Sequence, residues 1–191
     1  MNRREVLQRA GLVLGYAVSA PVLAGILNGC KAAPTLNYNP VFFTEDQAGI
    51  ISEMAEIMIP KTDTPGAKDV GVPKFIDQLI KECFKKEDQD SFLAGLKTFD
   101  DDAKAAYGST FLELDAAKQQ EHVKKIHDAA VDAVKKGGLK ERPFILRVKE
   151  LTVVGFFTSE PGATQVLQYE AVPGAYHGCV PLAEIGKTWA T

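Results

Sequence analysis

The residues with reactive side chains are few, and their spacing does not assemble a metal site or a catalytic group. The three histidines and three cysteines are His122, His127, His177, Cys30, Cys83 and Cys179. On one helix, His122 and His127 would project about 140° apart, so they cannot chelate one ion together. Both lie among lysines and acidic residues, which predicts a solvated surface. His177 lies near Cys179, but no third ligand or base accompanies them.

Acidic and glycine-rich motifs supply no chemistry either. Asp100, Asp101 and Asp102 form an acidic run, but successive helical residues point about 100° apart, so their carboxylates do not converge. No strand–Gly-x-Gly-x-x-Gly–helix unit and no Cys-x-x-Cys-His haem motif occurs. The sequence therefore predicts no catalytic residue and no metal ligand set. It also predicts no means of holding flavin, nicotinamide, haem or an iron–sulfur cluster.

Composition indicates one soluble globular domain. The chain has 191 residues, of which 46% are hydrophobic and 25% charged, and its net charge is -3. These values exclude a polytopic membrane protein and a largely disordered chain. The negative charge provides no basic field for nucleic acid.

Residues 1–29 have the layout of an export signal. Arg3 and Arg4 precede an apolar stretch, and residues 11–29 carry no charge. The adjacent arginines resemble a twin-arginine signal, which serves a translocase for folded cargo. Two other interpretations remain: an ordinary secretory signal, and a retained transmembrane helix, which needs about 20 residues.

The segment from Leu27 to Cys30 resembles a lipobox, the site at which bacterial lipoproteins are cleaved and acylated on the cysteine. Asn28 is unusual there, and the alternative is a plain signal in which Cys30 is incidental. Removal of residues 1–29 would leave a body of net charge -5. We therefore expect an exported protein on the periplasmic side of a bacterial membrane, held by lipid at Cys30.

The remainder predicts an all-α fold, a single small bundle of about five helices with a long irregular C-terminal tail. Residues 30–40 form a tether, and residues 41–191 form the helical domain. The predicted helices run from Thr44 to Pro60, from Pro73 to about Phe84, from about Gln89 to Tyr107, from Asp115 to Gly137 and from about Pro143 to Phe157.

Apolar residues at helical spacing predict the core, with the fifth helix in the middle of the bundle because it is apolar on most sides. The predicted core residues are Ile50, Ile51, Met54, Ile57, Met58, Phe75, Ile76, Leu79, Ile80, Phe92, Leu93, Leu96, Phe99, Ala103, Tyr107, Val123, Ile126, Ala130, Val134, Phe144, Ile145, Val148, Leu151, Val154, Phe156 and Phe157.

The tail from Thr158 onward is broken by prolines and glycines, with at most one short helix near residues 163–167. Its aromatic residues Tyr169, Tyr176 and Trp189 are unusual for a disordered segment. We therefore expect the tail to pack against the bundle or against another protein.

The two cysteines beyond Cys30 leave three states open. Cys83 falls near the apolar face of its helix, where a buried thiol is inert. Cys179 lies in the tail, where a thiol suits an interchain bond in an oxidising compartment. Pairing of Cys83 with Cys179, pairing of Cys179 with a partner, and free thiols are all consistent with the sequence.

Three segments together resemble the gluconate 2-dehydrogenase subunit 3 family: residues 60–77, 151–164 and 169–182, behind the twin-arginine head. The resemblance covers nearly all of residues 40–190. It implies a cofactor-free small subunit that binds a glucose–methanol–choline-type flavoprotein carrying FAD. That large subunit would oxidise a sugar, sugar acid or polyol, and a cytochrome c subunit with haem c often accepts the electrons.

The resemblance also implies that the signal carries the folded flavoprotein through the twin-arginine translocase. The lipobox departs from many relatives and makes this chain a candidate anchor for the complex. The alternative is a free-standing periplasmic lipoprotein that acts as a binding or scaffold module. An independent hydrolase would need a converging nucleophile and base, which the sequence does not provide.

Overall fold

The computed structural model describes residues 36–137, 141–172, 174–175 and 178–190. These residues belong to one compact unit. Apart from one isolated bridge between Gln168 and Trp189, the described residues contain no β-structure. The predicted export signal and tether up to residue 35 lie outside the described residues.

Five long helices form the domain, as predicted. They are α1 (Glu45–Met58), α2 (Val72–Cys83), α3 (Lys86–Tyr107), α4 (Ala116–Lys136) and α5 (Phe144–Phe157). A 3-10 helix, Phe111–Glu113, joins α3 to α4, and a π-helical turn, Gly162–Val166, follows α5. A four-residue helix, α6 (Leu182–Ile185), lies near the C-terminus.

Local capping signals explain where the helices begin and end. The Thr44 hydroxyl accepts the backbone N–H of Gln47, whose side chain accepts the Thr44 N–H in return, so α1 starts with a reciprocal capping box. The Asp115 carboxylate caps α4. Gly108 ends α3 with φ of 77°, a left-handed conformation that glycine adopts without strain.

Helix α5 lies in the middle of the bundle and packs against α1, α2, α3 and α4. Its buried positions include Ile145, Val148 and Phe156. Gly155 allows α2 to approach closely, because a Cβ there would collide with the ring of Phe75 on α2. The central position predicted for the fifth helix is therefore confirmed, although Val153 and Val154 on the same helix are exposed.

The prediction that His122 is solvated is wrong. His122 is only 1% exposed and lies among the rings of Phe99, Tyr107 and Phe111. Its Nε2 is 3.1 Å from the Phe99 carbonyl oxygen, and its buried Nδ1 has no partner among the described residues. Aromatic neighbours from α3 and the 3-10 helix enclose it, so the polar context along α4 did not predict its burial.

Three further predictions of burial are also wrong. Cys83 is exposed because it is the last residue of α2, where the chain turns away from the bundle. Val134 and Val154 follow the apolar spacing of their helices but are 47% and 48% exposed, because no described element covers those positions.

A buried carboxylate, not predicted from the sequence, fixes the segment that leads into the bundle. We call residues 36–43 the strap. Asp77 of α2 is fully buried and accepts the backbone N–H groups of Val41, Phe42 and Phe43. Three hydrogen bonds to an anion compensate the cost of its burial. The strap is thereby attached to α2.

None of the helices among the described residues combines the length and apolarity needed to cross a bilayer.

Candidate partner-binding surface

Several predicted site residues lie outside the described residues. These are Arg3 and Arg4 of the export signal, the lipidation candidate Cys30, and Tyr176 and His177 of the tail. Their predicted roles stay predictions. The described site residues are Cys83, Tyr169, Cys179 and Trp189.

The tail begins at a turn that only glycine permits. The Ser159 hydroxyl donates to the carbonyl of Phe156 and accepts the Gly162 N–H at 3.1 Å. A Cβ at Gly162 would collide with the Phe156 carbonyl oxygen. The backbone therefore turns back on the end of α5, and Val166 packs against the core.

The two ends of the tail meet at one short parallel bridge. The Gln168 N–H donates to the carbonyl of Thr188, and the Ala190 N–H donates to that of Gln168, both at 2.9 Å. Lys187 Nζ also donates to the Gln165 carbonyl. These contacts hold the segment of Tyr169 beside that of Trp189.

The tail leaves large apolar side chains in solvent. Tyr169 is 54% exposed, Val172 82% and Trp189 41%, and Val180 and Leu182 are exposed as well. No described residue after Gly162 is buried. An apolar surface of this kind on a folded chain is typical of an interaction site. The prediction that the tail aromatics serve a partner remains a prediction.

The loop from Pro60 to Gly71 is ordered around one carboxylate. Glu56 of α1 accepts the backbone N–H groups of Lys61 and Lys68, at 3.1 and 2.9 Å. Gly66 lies so close that a Cβ there would collide with the Glu56 carboxylate. The loop is thus a fixed projection of the bundle.

Two ion pairs fix the lysines of this loop, Lys61 to Asp69 at 3.0 Å and Lys68 to Glu53 at 2.7 Å. The hydrogen bonds from Lys61 and from the Gly66 N–H lower the pKa of Asp69. The tip of the loop, Thr62 and Asp63, is exposed.

A groove of about 640 Å³ opens between α3 and the start of α5, with Cys83 at its edge. The Arg147 guanidinium donates to the Ser91 hydroxyl and the Asp88 carbonyl, and lies 5.5 Å from the ring centroid of Phe92. The groove lining contains carboxylates and cationic side chains but no histidine. The hydrogen bonds of Arg147 join α5 to α3.

The cysteines Cys83 and Cys179 are both exposed and free in the structure. The intrachain bond, one of the three states open from sequence, is absent from the structure.

The histidines do not form a catalytic group within the described residues. His127 is partly buried on α4, accepts from Lys149 Nζ at 2.9 Å and lies 3.2 Å from the Asp128 carboxylate. His122 is enclosed as described above. No cluster of three or more metal-ligating side chains occurs in the described ranges. Asp100 is a structural residue, because it accepts the Phe111 N–H at 2.8 Å and pairs with Lys104.

A compact helical bundle with an ordered loop and an exposed apolar tail defines the class: a helical protein with a surface suited to assembly. The sequence matches the family model described as gluconate 2-dehydrogenase subunit 3 over residues 45–174. The chain therefore belongs to the gluconate 2-dehydrogenase subunit 3 family, whose members are accessory subunits of dehydrogenase complexes. No curated protein and no solved structure matches the chain.

Proposed function

We propose that this chain is the non-catalytic small subunit of an exported, flavin-dependent dehydrogenase that oxidises a sugar, sugar acid or polyol. Its partner is a glucose–methanol–choline-type flavoprotein that carries the FAD, and a cytochrome c subunit with haem c receives the electrons. Family membership supports the assignment. The observation that carries the binding role is the exposed apolar tail.

The tail and the loop at residues 60–71 form the contact with the flavoprotein. A stable interface buries at least about 1,200 Å² in total, and aromatic residues contribute much of its energy. Tyr169 and Trp189 provide aromatic surface on segments joined by the bridge. The loop provides a fixed, polar projection that can define the orientation of the partner.

Export follows from the same association. A flavoprotein folds around FAD in the cytoplasm, so it needs a route that accepts folded cargo. The twin-arginine signal with Arg3 and Arg4 supplies this route if the two subunits stay bound during transit. Cys30, once acylated, holds the complex at the periplasmic face of the membrane.

The test of export expresses the neighbouring dehydrogenase genes with this chain or with its Arg3→Lys, Arg4→Lys variant. Dye-linked oxidation of gluconate, of sugars and of polyols is measured in the periplasmic and membrane fractions. We expect activity with the wild-type chain and its loss in the variant. Arg9→Lys is the matched control, because it alters an arginine outside the pair. Unchanged exported activity in the double variant would refute the escort role.

The test of the interface replaces Tyr169 and Trp189 by alanine and measures copurification of the flavoprotein. Truncation of one aromatic anchor costs about 2 kcal/mol or more of binding free energy, so each single variant should bind the flavoprotein at least about thirtyfold more weakly. Val134→Ala is the control, because Val134 is an exposed apolar residue on the bundle. Equal copurification by the variants and the wild type would remove the tail from the interface.

Acylation is tested separately by fatty-acid labelling. Cys30→Ser removes the label if Cys30 is the modified residue, whereas Cys83→Ser retains it. Labelling that persists in Cys30→Ser, or is absent in the wild type, contradicts the lipid anchor without affecting the assignment of the partner.

A further inference from the structure

The strap is fixed to the bundle at two places, the first of which is its C-terminal end. The carboxylate of Asp77 accepts N–H groups from three consecutive residues, at 2.7 Å from Val41, 3.1 Å from Phe42 and 2.9 Å from Phe43. Asp77 takes part in no ion pair within the described ranges. Its charge is therefore compensated by the strap backbone, and the strap and the carboxylate depend on each other.

A second attachment lies nearer the N-terminal end of the strap. The Tyr38 hydroxyl donates to the Pro73 carbonyl at 3.2 Å, and Leu36 and Tyr38 pack against the core. Burial and the negative charge of Asp77 raise the pKa of Tyr38. Leu36, the first described residue, is therefore held against the domain.

Only a short segment connects Leu36 to Cys30. Six residue steps separate Cys30 from Leu36, and an extended chain spans at most about 3.6 Å per residue, so the reach is about 22 Å or less. A domain of this size has a radius of gyration of about 15 Å and is about 40 Å across. Because this tether is shorter than the domain is wide, the side of the domain opposite Leu36 cannot reach the membrane at the point where Cys30 is attached.

The surface around Leu36 combines apolar residues with polar and charged ones. A cleft of about 100 Å³ is lined by Leu36, Asn37, Lys68, Gly71 and Lys74, among others. Lys68 is paired with Glu53. Lys74 is exposed and has no ion pair within the described part of the chain, so its ammonium group is available to a phosphate. We call these residues the exit face.

We infer that the exit face lies against the lipid headgroups, and that Asp77 fixes this orientation by keeping the tether short. The inference rests on the proposed function, in which Cys30 carries the lipid. Release of the strap would extend the reach from Cys30 to about 50 Å, because fourteen residue steps would then be free. The domain could then turn any side to the membrane.

The experiment attaches the mature chain, residues 30–191, to liposomes through Cys30. Cys83→Ser and Cys179→Ser leave Cys30 as the single thiol, which is coupled to a maleimide phospholipid in phosphatidylcholine vesicles. Trp189→Phe with Asn37→Trp places the single tryptophan on the exit face. Energy transfer to a dansyl lipid reports its distance from the membrane.

The comparison uses three variants. An eight-residue Gly-Ser insertion after Ala33 lengthens the tether and leaves the strap intact. Asp77→Asn weakens the attachment of the strap. Asp100→Asn is the matched control, because Asp100 also accepts a backbone N–H but lies on α3 beside the 3-10 helix. Hydrogen exchange at Val41, Phe42 and Phe43 in free protein reports the attachment directly.

We expect energy transfer to fall by about twofold or more with the insertion and with Asp77→Asn, and to stay unchanged with Asp100→Asn. Transfer that does not fall with the insertion would overturn the orientation at the membrane. Unchanged transfer and unchanged exchange in Asp77→Asn would overturn the role of Asp77. Chemical coupling supplies the lipid here, so these outcomes are separate from failure of Cys30 acylation in cells.

Discussion

The bundle and the tail use apolar residues in opposite ways. In the bundle, Phe92, Phe99 and Phe111 are almost fully buried and contact one another or neighbouring rings. In the tail, Tyr169 and Trp189 are 54% and 41% exposed. The bundle completes its own core, whereas the described part of the tail has apolar surface that its own chain does not cover. This difference supports the proposal that the tail contacts a second molecule.

The largest effect should come from a core residue of the bundle. Phe92→Ala should lower the free energy of unfolding by about 3–5 kcal/mol, because it leaves a cavity beside Phe43 and Phe144. Leu182→Ala, at an exposed tail position, should change it by less than about 0.5 kcal/mol. Urea unfolding followed by circular dichroism measures both. Similar losses in the two variants would contradict the distinction between bundle and tail.

The junction between the two regions should show an intermediate effect. Gly162→Ala places a methyl group against the Phe156 carbonyl and should cost about 1–3 kcal/mol as the turn shifts. Gly174→Ala is the control, because a Cβ there meets no atom. Gly162→Ala should have a lower melting temperature than the wild type, and it should bind the flavoprotein more weakly. If both glycine variants behave as the wild type, the tail is not positioned by this turn.

A smaller effect of opposite sign is expected inside the bundle. Thr152 on α5 is fully buried, and its hydroxyl has no hydrogen-bond partner among the described residues. Thr152→Val keeps the shape and removes the buried polar atom, so it should raise the free energy of unfolding by about 1 kcal/mol. Thr158→Val is the control, because it removes an exposed hydroxyl that donates to the Val154 carbonyl. We expect no increase in its free energy of unfolding. Chemical denaturation distinguishes the two variants.

The smallest effect concerns pH and the start of α4. The backbone N–H of Lys118 lowers the pKa of Asp115, because it stabilises the carboxylate in the folded state. This stabilisation is present above the unfolded pKa and is lost as the pH falls through the lowered, folded pKa. Asp115→Ala should therefore be less stable than the wild type at pH 7, and the difference should vanish in acid. A difference that persists at low pH would show that the charge is not responsible.

Sequence patterns predicted the helices because their signals are local. The capping box of Thr44 and Gln47 begins α1, and Gly108 ends α3. Each signal lies within one turn of the helix end that it determines. The all-α class and the central fifth helix followed from the periodicity of apolar residues. The predicted start of α3, at about Gln89, differs from the observed start at Lys86. The first turn of this helix is entirely polar, so the spacing of apolar residues does not mark it.

Burial of polar residues depends on neighbours that are distant in sequence, and here the predictions failed. His122 lies four residues before Ile126, and Asp77 lies three before Ile80, so both occupy apolar positions of their helices. That spacing was a usable signal for burial. It could not reveal that Asp77 accepts N–H groups of the strap about 35 residues earlier, because this contact exists only after α2 and the strap meet.

The aromatic residues of the tail were identified from their unusual occurrence among prolines and glycines. Their exposure could not be derived in this way, because the same composition suits a segment packed on the bundle. The bridge between Gln168 and Trp189 joins positions far apart in a segment without periodicity. No local pattern predicts such a contact.

The close approach of Gly66 to Glu56 has a consequence for how this protein can vary. Any side chain at position 66 would collide with the Glu56 carboxylate and also with the backbone nitrogen of Lys61. A shorter residue at position 56 would give up the acceptor for two amides of the loop, and the collision with the Lys61 backbone would remain. Glycine is therefore expected to persist at position 66 among homologues even where position 56 differs.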